Sequence, residues 1–271
     1  MNKTVIFPEE WDEVTPKQFK WILDKMCQRM PMKDLKIIFA DMVLGERRPF
    51  NKDKRIQYFA LIEDLANSLE WMFNVSGNSI LLNFDTTVNP IPKIKNNVGP
   101  KSHGSDLRFG EFREAIAAYN DYTNTLDITH LDRLTGILYR KKNKNSGGSF
   151  DGNYRIPFNR HNIGKYISWA KSVPFYLKWG VYLWFASFCR YLLSGGIFII
   201  DGKEISFKRV FGKSKESVGT DIGMNSILFT MADAGTFGKA EDIENTELFR
   251  ILLKLLYDAN TYDELEKKYK K

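Results

Sequence analysis

The chain has 271 residues, 43% of them hydrophobic and 14% aromatic, with 20 Phe, 12 Tyr and 6 Trp. A chain so rich in bulky side chains buries a real core, which excludes global disorder. Its formal net charge of +7 is a mild basic bias that bears on solubility and attraction to polyanions, not on fold.

The first helix is announced by Thr15-Pro16-Lys17-Gln18. Thr15 can accept from a free N–H, Pro16 loses no needed donor at the first turn, and Gln18 completes a capping box. Phe19, Ile22, Leu23 and Met26 follow at helical spacing, and Pro31 ends the run. A second helix puts Leu35, Ile38, Phe39 and Met42 on one face and stops at Gly45 and Pro49. A third, from about residue 52 to 71, carries Ile56, Phe59, Leu65 and Leu69. Residues 1–74 are therefore expected to form a helical lobe.

Between residues 75 and 105 the pattern changes. Ser79-Ile80-Leu81-Leu82-Asn83-Phe84 reads as a strand, and Asn89-Pro90-Ile91-Pro92, Gly99-Pro100 and Gly104 forbid a helix. This stretch is either a small β element, with strands near 80–94, or an extended connector. Residues 106–271 read as a second helical domain. Phe112, Ile116 and Tyr119 form one stripe, and Leu131, Leu134, Ile137 and Leu138 another that ends in Tyr139-Arg140. A polar, basic, glycine-rich loop spans 140–153. Arg155-Ile156-Pro157-Phe158 is extended, and helices are expected over 162–170 and 174–193.

The apolar stretch 174–200 is broken by Lys178 and Arg190, and its uncharged part, 179–189, is shorter than the ~20 residues a spanning helix needs. A helix buried by its own protein is expected, with Lys178 and Arg190 reaching the surface along their aliphatic stems. Asp201-Gly202 between apolar runs predicts a short β-hairpin over 197–207 with a type I′ turn. Helices are then expected over 224–234 and 246–258, and a short last one is opened by the capping box Thr261-Tyr262-Asp263-Glu264. The fold class that results is mainly α, a multi-helix globular protein with minor β.

The chemistry-bearing residues are sparse. Gly212-Lys213-Ser214 lacks the glycine a phosphate loop requires, since Phe207 stands at that position. His103, His130 and His161 are isolated and make no metal-ligand pair. Cys27 and Cys189 form neither a disulfide framework nor a zinc pattern, and Cys189 sits among Phe188, Arg190 and Tyr191, a poor place for a nucleophile. No catalytic residue, cofactor or metal is expected, and the protein is read as non-enzymatic. MNKTVIFPEEW shows no secretory signal, so a cytoplasmic location is the default.

One feature suggests a partner. Arg140, Lys141, Lys142 and Lys144 follow Tyr139, and Arg155 and Arg160 come shortly after. Together they form a candidate surface for phosphate contact. A nucleic-acid-binding accessory protein using residues 140–144 is the alternative reading. Substituting Arg140 and the three lysines by Gln or Ser is then expected to weaken such binding and leave folding intact.

Several fragments also resemble a family of bacteriophage and prophage proteins encoded among structural and tail genes. Pro8-Glu9-Glu10-Trp11-Asp12-Glu13-Val14-Thr15-Pro16-Lys17-Gln18 resembles its "P-E-x-W-x-E-L-T-x-x-Q" opening. Arg108-Phe109-Gly110-Glu111-Phe112 and Leu134-Thr135-Gly136-Ile137-Leu138-Tyr139-Arg140 resemble its middle, and Arg155-Ile156-Pro157-Phe158-Asn159 the part that follows. Gly235-Thr236-Phe237-Gly238, with Thr246-Glu247-Leu248-Phe249-Arg250-Ile251-Leu252, is similar to its C-terminal end. The resemblance carries no active-site residues. It implies a tail-assembly factor or minor component of the particle that acts through protein–protein contacts in the host cytoplasm or within the virion. Other phage structural or tail proteins would be its partners. From the loop and the apolar run themselves, only weak contact to nucleic acid and none to a membrane is expected.

Overall fold

The structure is a computed structural model that describes residues 6–76, 79–143, 154–211, 227, 231–233 and 235–269. The fold is mainly α. Its principal helices are α1 (Pro16–Cys27), α2 (Met32–Leu44), α3 (Lys52–Ser68), α4 (Phe109–Thr125), α5 (Ile128–Leu138), α6 (Ile163–Ala170), α7 (Phe175–Ser194) and a C-terminal helix, Leu248–Tyr269. Small antiparallel sheets fill the gaps: β1 (Phe73–Ser76) with β2 (Ser79–Leu82), β3 (Lys93–Ile94) with β4 (Asn97–Val98) and β5 (Arg140–Lys141), and β6 (Ile197–Ile200) with β7 (Lys203–Ser206).

The helix starts follow the local chemistry. Thr15 Oγ1 accepts from the Gln18 N–H, and Gln18 Oε1 accepts from the Thr15 N–H at 2.8 Å, closing the capping box on α1. Gly45 ends α2 in the left-handed conformation. Asn51 caps α3 by accepting from the N–H groups of Asp53 and Lys54. The hairpin also has the expected turn, with Asp201 and Gly202 both at positive φ.

A single buried cluster gathers Trp11, Phe19 and Leu23 with Ile91, Phe112, Trp184, Phe188, Phe198 and Leu252, so it draws on all three expected segments of the chain. α7 runs through it and packs on both α1 and α5. Its Trp184 stacks on Phe188, Phe185 meets Phe112, and Phe188 meets Phe198. Trp11 is the anchor of the N-terminal segment. Its ring contacts Phe19, Trp71 and Phe84, and its indole N–H donates to the Asn83 carbonyl at 2.7 Å. No helix among the described residues is long and apolar enough to cross a membrane.

Four expectations need correction. The buried face of α3 is Tyr58, Ile62 and Ala66, while Ile56 and Phe59 stand exposed. Two apolar stripes compete on that helix, and the Tyr58 hydroxyl bonded to Asp41 of α2 selects one of them. In α2, Ile38 is likewise exposed beside the buried Leu35 and Phe39. Thr261 opens no new helix, because its hydroxyl donates to the Tyr257 carbonyl one turn back and the C-terminal helix runs on. Lys178 does not reach the surface; it is buried on Asp132 of α5 at 2.6 Å, whereas Arg190 is exposed. The expected helix over 224–234 lies largely outside the described residues, as does Gly212-Lys213-Ser214.

Close helix packing rests on Gly136 of α5. A Cβ placed there would lie 2.7 Å from the Tyr166 carbonyl carbon and 2.8 Å from its oxygen, both backbone atoms of α6. At Gly180 of α7 the obstacles are instead the side-chain tips of Leu23 and Ile91, at 2.5 and 2.6 Å. Backbone cannot turn aside as a methyl group can. G136A is therefore expected to destabilise the protein by about 1–3 kcal/mol, the range for overpacking, and by more than G180A, as read from chemical denaturation of both variants.

Candidate functional site

Of the cations expected to contact phosphate, the two central ones are internal. Arg140 and Arg155 converge on Glu111 of α4, and all three side chains are 0% exposed. The Arg140 Nη1 donates to Glu111 Oε1 at 2.9 Å and its Nη2 to Oε2 at 3.2 Å. Arg155 Nη1 donates to the same Oε1, and its Nη2 to Oε2 at 3.2 Å. Asp106 lies 3.4 Å from Arg155 Nη2, so two positive charges face two negative ones. Backbone carbonyls take further donors: Ile156 from Arg140 Nε, Leu138 from Arg155 Nη1, and Asp106 from Arg155 Nη2. Buried ions survive only when paired and hydrogen-bonded in this way.

This corrects the expectation for residues 140–144. Arg140 is a strand residue of β5 turned inward, because the buried Glu111 carboxylate needs a counter-charge. Arg160 is exposed, and its Nε lies 3.1 Å from Glu114, which also accepts from Arg133. Lys141 and Lys142 are exposed, and Lys144 falls outside the described residues. Replacing Arg140 together with the lysines therefore disrupts the interior and does not test surface charge alone.

The ionic cluster was hidden in the sequence by distance. Glu111 is separated from Arg140 by 29 positions and from Arg155 by 44. Its one local signal is a carboxylate placed between Phe109 and Phe112 on an apolar helix face.

Two of the surface hollows combine aromatic and charged side chains. The larger, about 770 Å³, is lined by Trp11, Thr86, Thr87, His103, Phe249 and the whole of β6, with the carboxylates of Glu10, Asp12, Asp85, Asp201 and Glu247 around it. Its polar floor is ordered: the Thr86 hydroxyl donates to Asp12, and the Thr87 hydroxyl bonds His103 Nδ1 at 2.7 Å. The smaller, about 460 Å³, is lined by Lys141, Lys165, Tyr166 and Trp169, with Arg140 also at its wall. Cys189 is buried and its thiol is pushed up by that burial, which leaves it protonated and unreactive. Among the described residues, no group of three His, Cys, Asp or Glu side chains is placed to hold a metal ion.

Burial alone would raise the Glu111 carboxyl, but the Arg140 and Arg155 guanidiniums outweigh it and hold its pKa below the ordinary carboxylate value. A carboxyl depressed in the folded state adds stability above its unfolded pKa, about 4.3 for Glu, and loses it as pH falls through the folded value. The unfolding free energy is thus expected to drop on acidification below about pH 4.3, partly through Glu111. E111Q leaves two guanidiniums without their carboxylate. It should destabilise the protein at neutral pH by about 3–5 kcal/mol and flatten that acid limb in denaturant titrations run across pH.

Compared with protein-family models, with curated proteins and with solved structures, the chain matches none.

Proposed function

We propose that this chain is a non-enzymatic bacteriophage protein, a tail-assembly factor or minor structural component of the particle, that works through contacts with other proteins of the particle. The observation that carries this reading over its alternative is the internal use of Arg140 and Arg155, which are buried against Glu111, Asp106 and backbone carbonyls. A phosphate-binding loop would present those guanidiniums to solvent. The surface instead carries exposed apolar side chains, with Ile56 and Phe59 at 60% and 48% exposure and Phe50 fully exposed. The phage-like fragments around Trp11, Glu111, Tyr139 and Arg155 support the same reading.

Deleting the gene from a phage or inducible prophage that carries it tests the role. The expected result is particles without functional tails by electron microscopy, restored by the wild-type gene in trans. Morphologically normal, infectious particles after deletion would overturn the proposal. Mass spectrometry of purified wild-type particles then separates a retained component from a transient factor.

A second reading rests on the smaller hollow, where Lys141 and Lys165 flank Tyr166 and Trp169. Cations beside aromatic rings can hold the backbone and bases of a single strand. The triple variant K141Q/K142Q/K165Q spares Arg140 and so leaves the interior intact. On the assembly reading, wild type and variant bind single-stranded DNA equally weakly at about 150 mM salt. Tight wild-type binding that the variant loses would favour the nucleic-acid function instead.

A further inference from the structure

Among the described residues, no strand pairs with the outer edge of β6 in the hairpin β6–β7. A two-residue turn with positive φ at both Asp201 and Gly202 makes Ile200 and Lys203 a hydrogen-bonded pair, and the register then pairs Phe198 with Ile205 in the same way. The backbone N–H and C=O groups of Ile197 and Ile199 consequently point away from β7. Those of Ile197 are both taken by one side chain: its N–H donates to the Tyr191 hydroxyl at 3.1 Å, and that hydroxyl donates to its carbonyl at 2.9 Å. Ile199, two residues on, lines the larger hollow, and among the described residues its outward N–H and C=O take no hydrogen-bond partner. All of β6 through Asp201 lines that hollow, and no residue of β7 does, so the hollow runs along the free edge of β6.

The charge around the hollow selects what fits. Glu10, Asp12, Asp85, Asp201 and Glu247 come from separate stretches of the chain, yet all face one space in a protein whose net charge is +7. Asp12 accepts from Thr86, and Glu10, Asp85, Asp201 and Glu247 make no ion pair among the described residues. Two cations lie near the rim: Arg190 donates to the Phe84 carbonyl at 2.6 Å beside Asp85, and Arg108 stands opposite Glu247 in an antiparallel bridge. The carboxylates do not converge as a metal site requires. They are spread around the hollow, whose wall also includes the apolar side chains of Trp11, Ile199 and Phe249.

We propose that an extended, lysine- or arginine-bearing segment of a partner protein docks in this hollow and adds as a third strand beside β6. The proposal rests on the reading of this chain as a protein that works through protein contacts, and it assigns the chemistry of one such contact. Main-chain bonds to Ile199 supply the pairing, the acidic rim supplies the sign, and alternate side chains meet the apolar wall. A two-stranded ribbon is marginal alone and gains from a third strand.

The test uses the full chain and fluorescein-labelled heptapeptides followed by anisotropy. The probes are an alternating Lys–Val peptide, its Glu–Val counterpart, and a Lys–Val peptide whose backbone amides are N-methylated on one edge. The Lys–Val peptide is expected to bind, and both others to bind about tenfold or more weakly, since one lacks charge complementarity and the other the strand donors. E10Q/D85N/E247Q removes exposed carboxylates without ion-pair partners, so it should keep the wild-type melting temperature and weaken Lys–Val binding about tenfold. I199P removes the edge donor at a position where proline is tolerated, and it should weaken binding similarly. Absence of Lys–Val binding, equal binding of the N-methylated peptide, or unchanged affinity in the carboxylate variant would each overturn the proposal. A tail defect on gene deletion with no peptide binding would sink this site alone, and peptide binding with normal particles would sink the assembly role alone.

Discussion

Two guanidiniums closed on one buried carboxylate tie the middle of this protein together. Glu111 lies on α4, Arg140 on β5 just past α5, and Arg155 on the segment that returns beside Lys142. None of the three is tolerable alone in an apolar interior, so each is present because the others are. Asp106 balances the second positive charge, and the carbonyls of Ile137, Leu138, Ile156 and Asp106 accept further donors. A cluster of this kind adds little stability over an apolar core of the same volume, but it penalises any packing in which one member is displaced. The arrangement of α4 against α5 is the packing it holds in place.

Around that cluster the aromatic residues do the filling. α7 lays Trp184, Phe185 and Phe188 into the core, and the rings of Phe112 and Phe198 meet them from α4 and β6. A second charged contact, Lys178 on Asp132, pins the same helix to α5. Tyr139, adjacent to Arg140, is fully buried and donates its hydroxyl to the Ile91 carbonyl at 2.7 Å, joining α5 to the extended segment before β3. Polar groups thus set which surfaces meet, and apolar area supplies most of the driving force.

The large hollow is a product of this packing. Its walls come from the N-terminal turn around Trp11, the segment after β2, the loop at His103, β6 and the start of the C-terminal helix. They meet because Trp11 is held by the Asn83 carbonyl and Phe198 by Phe207 and Phe249. The carboxylates around this hollow gather in a chain whose net charge is +7, so net charge alone misjudges what such a surface attracts.

The sequence by itself determined the local elements. Thr15 and Gln18 start α1, Asn51 caps α3, Gly45 ends α2 and Asp201-Gly202 makes the hairpin turn, all through contacts within a few residues. The buried character of α7 was legible for the same reason, since Lys178 and Arg190 break its apolar run. Only tertiary structure decided which stripe of α3 is buried, because Ile56 with Phe59 and Tyr58 with Ile62 are both apolar at helical spacing. It decided, too, that the C-terminal helix passes through Thr261, where a hydroxyl satisfied by Tyr257 removes the need for a break. The largest change of meaning fell on the charges. Arg140 next to Lys141 and Lys142 has the composition of an exposed basic loop, and nothing local marks Glu111 as its partner. Ion pairing at long sequence separation leaves no periodicity to read, so the role of a charged residue depends on which counter-charge the fold brings to it.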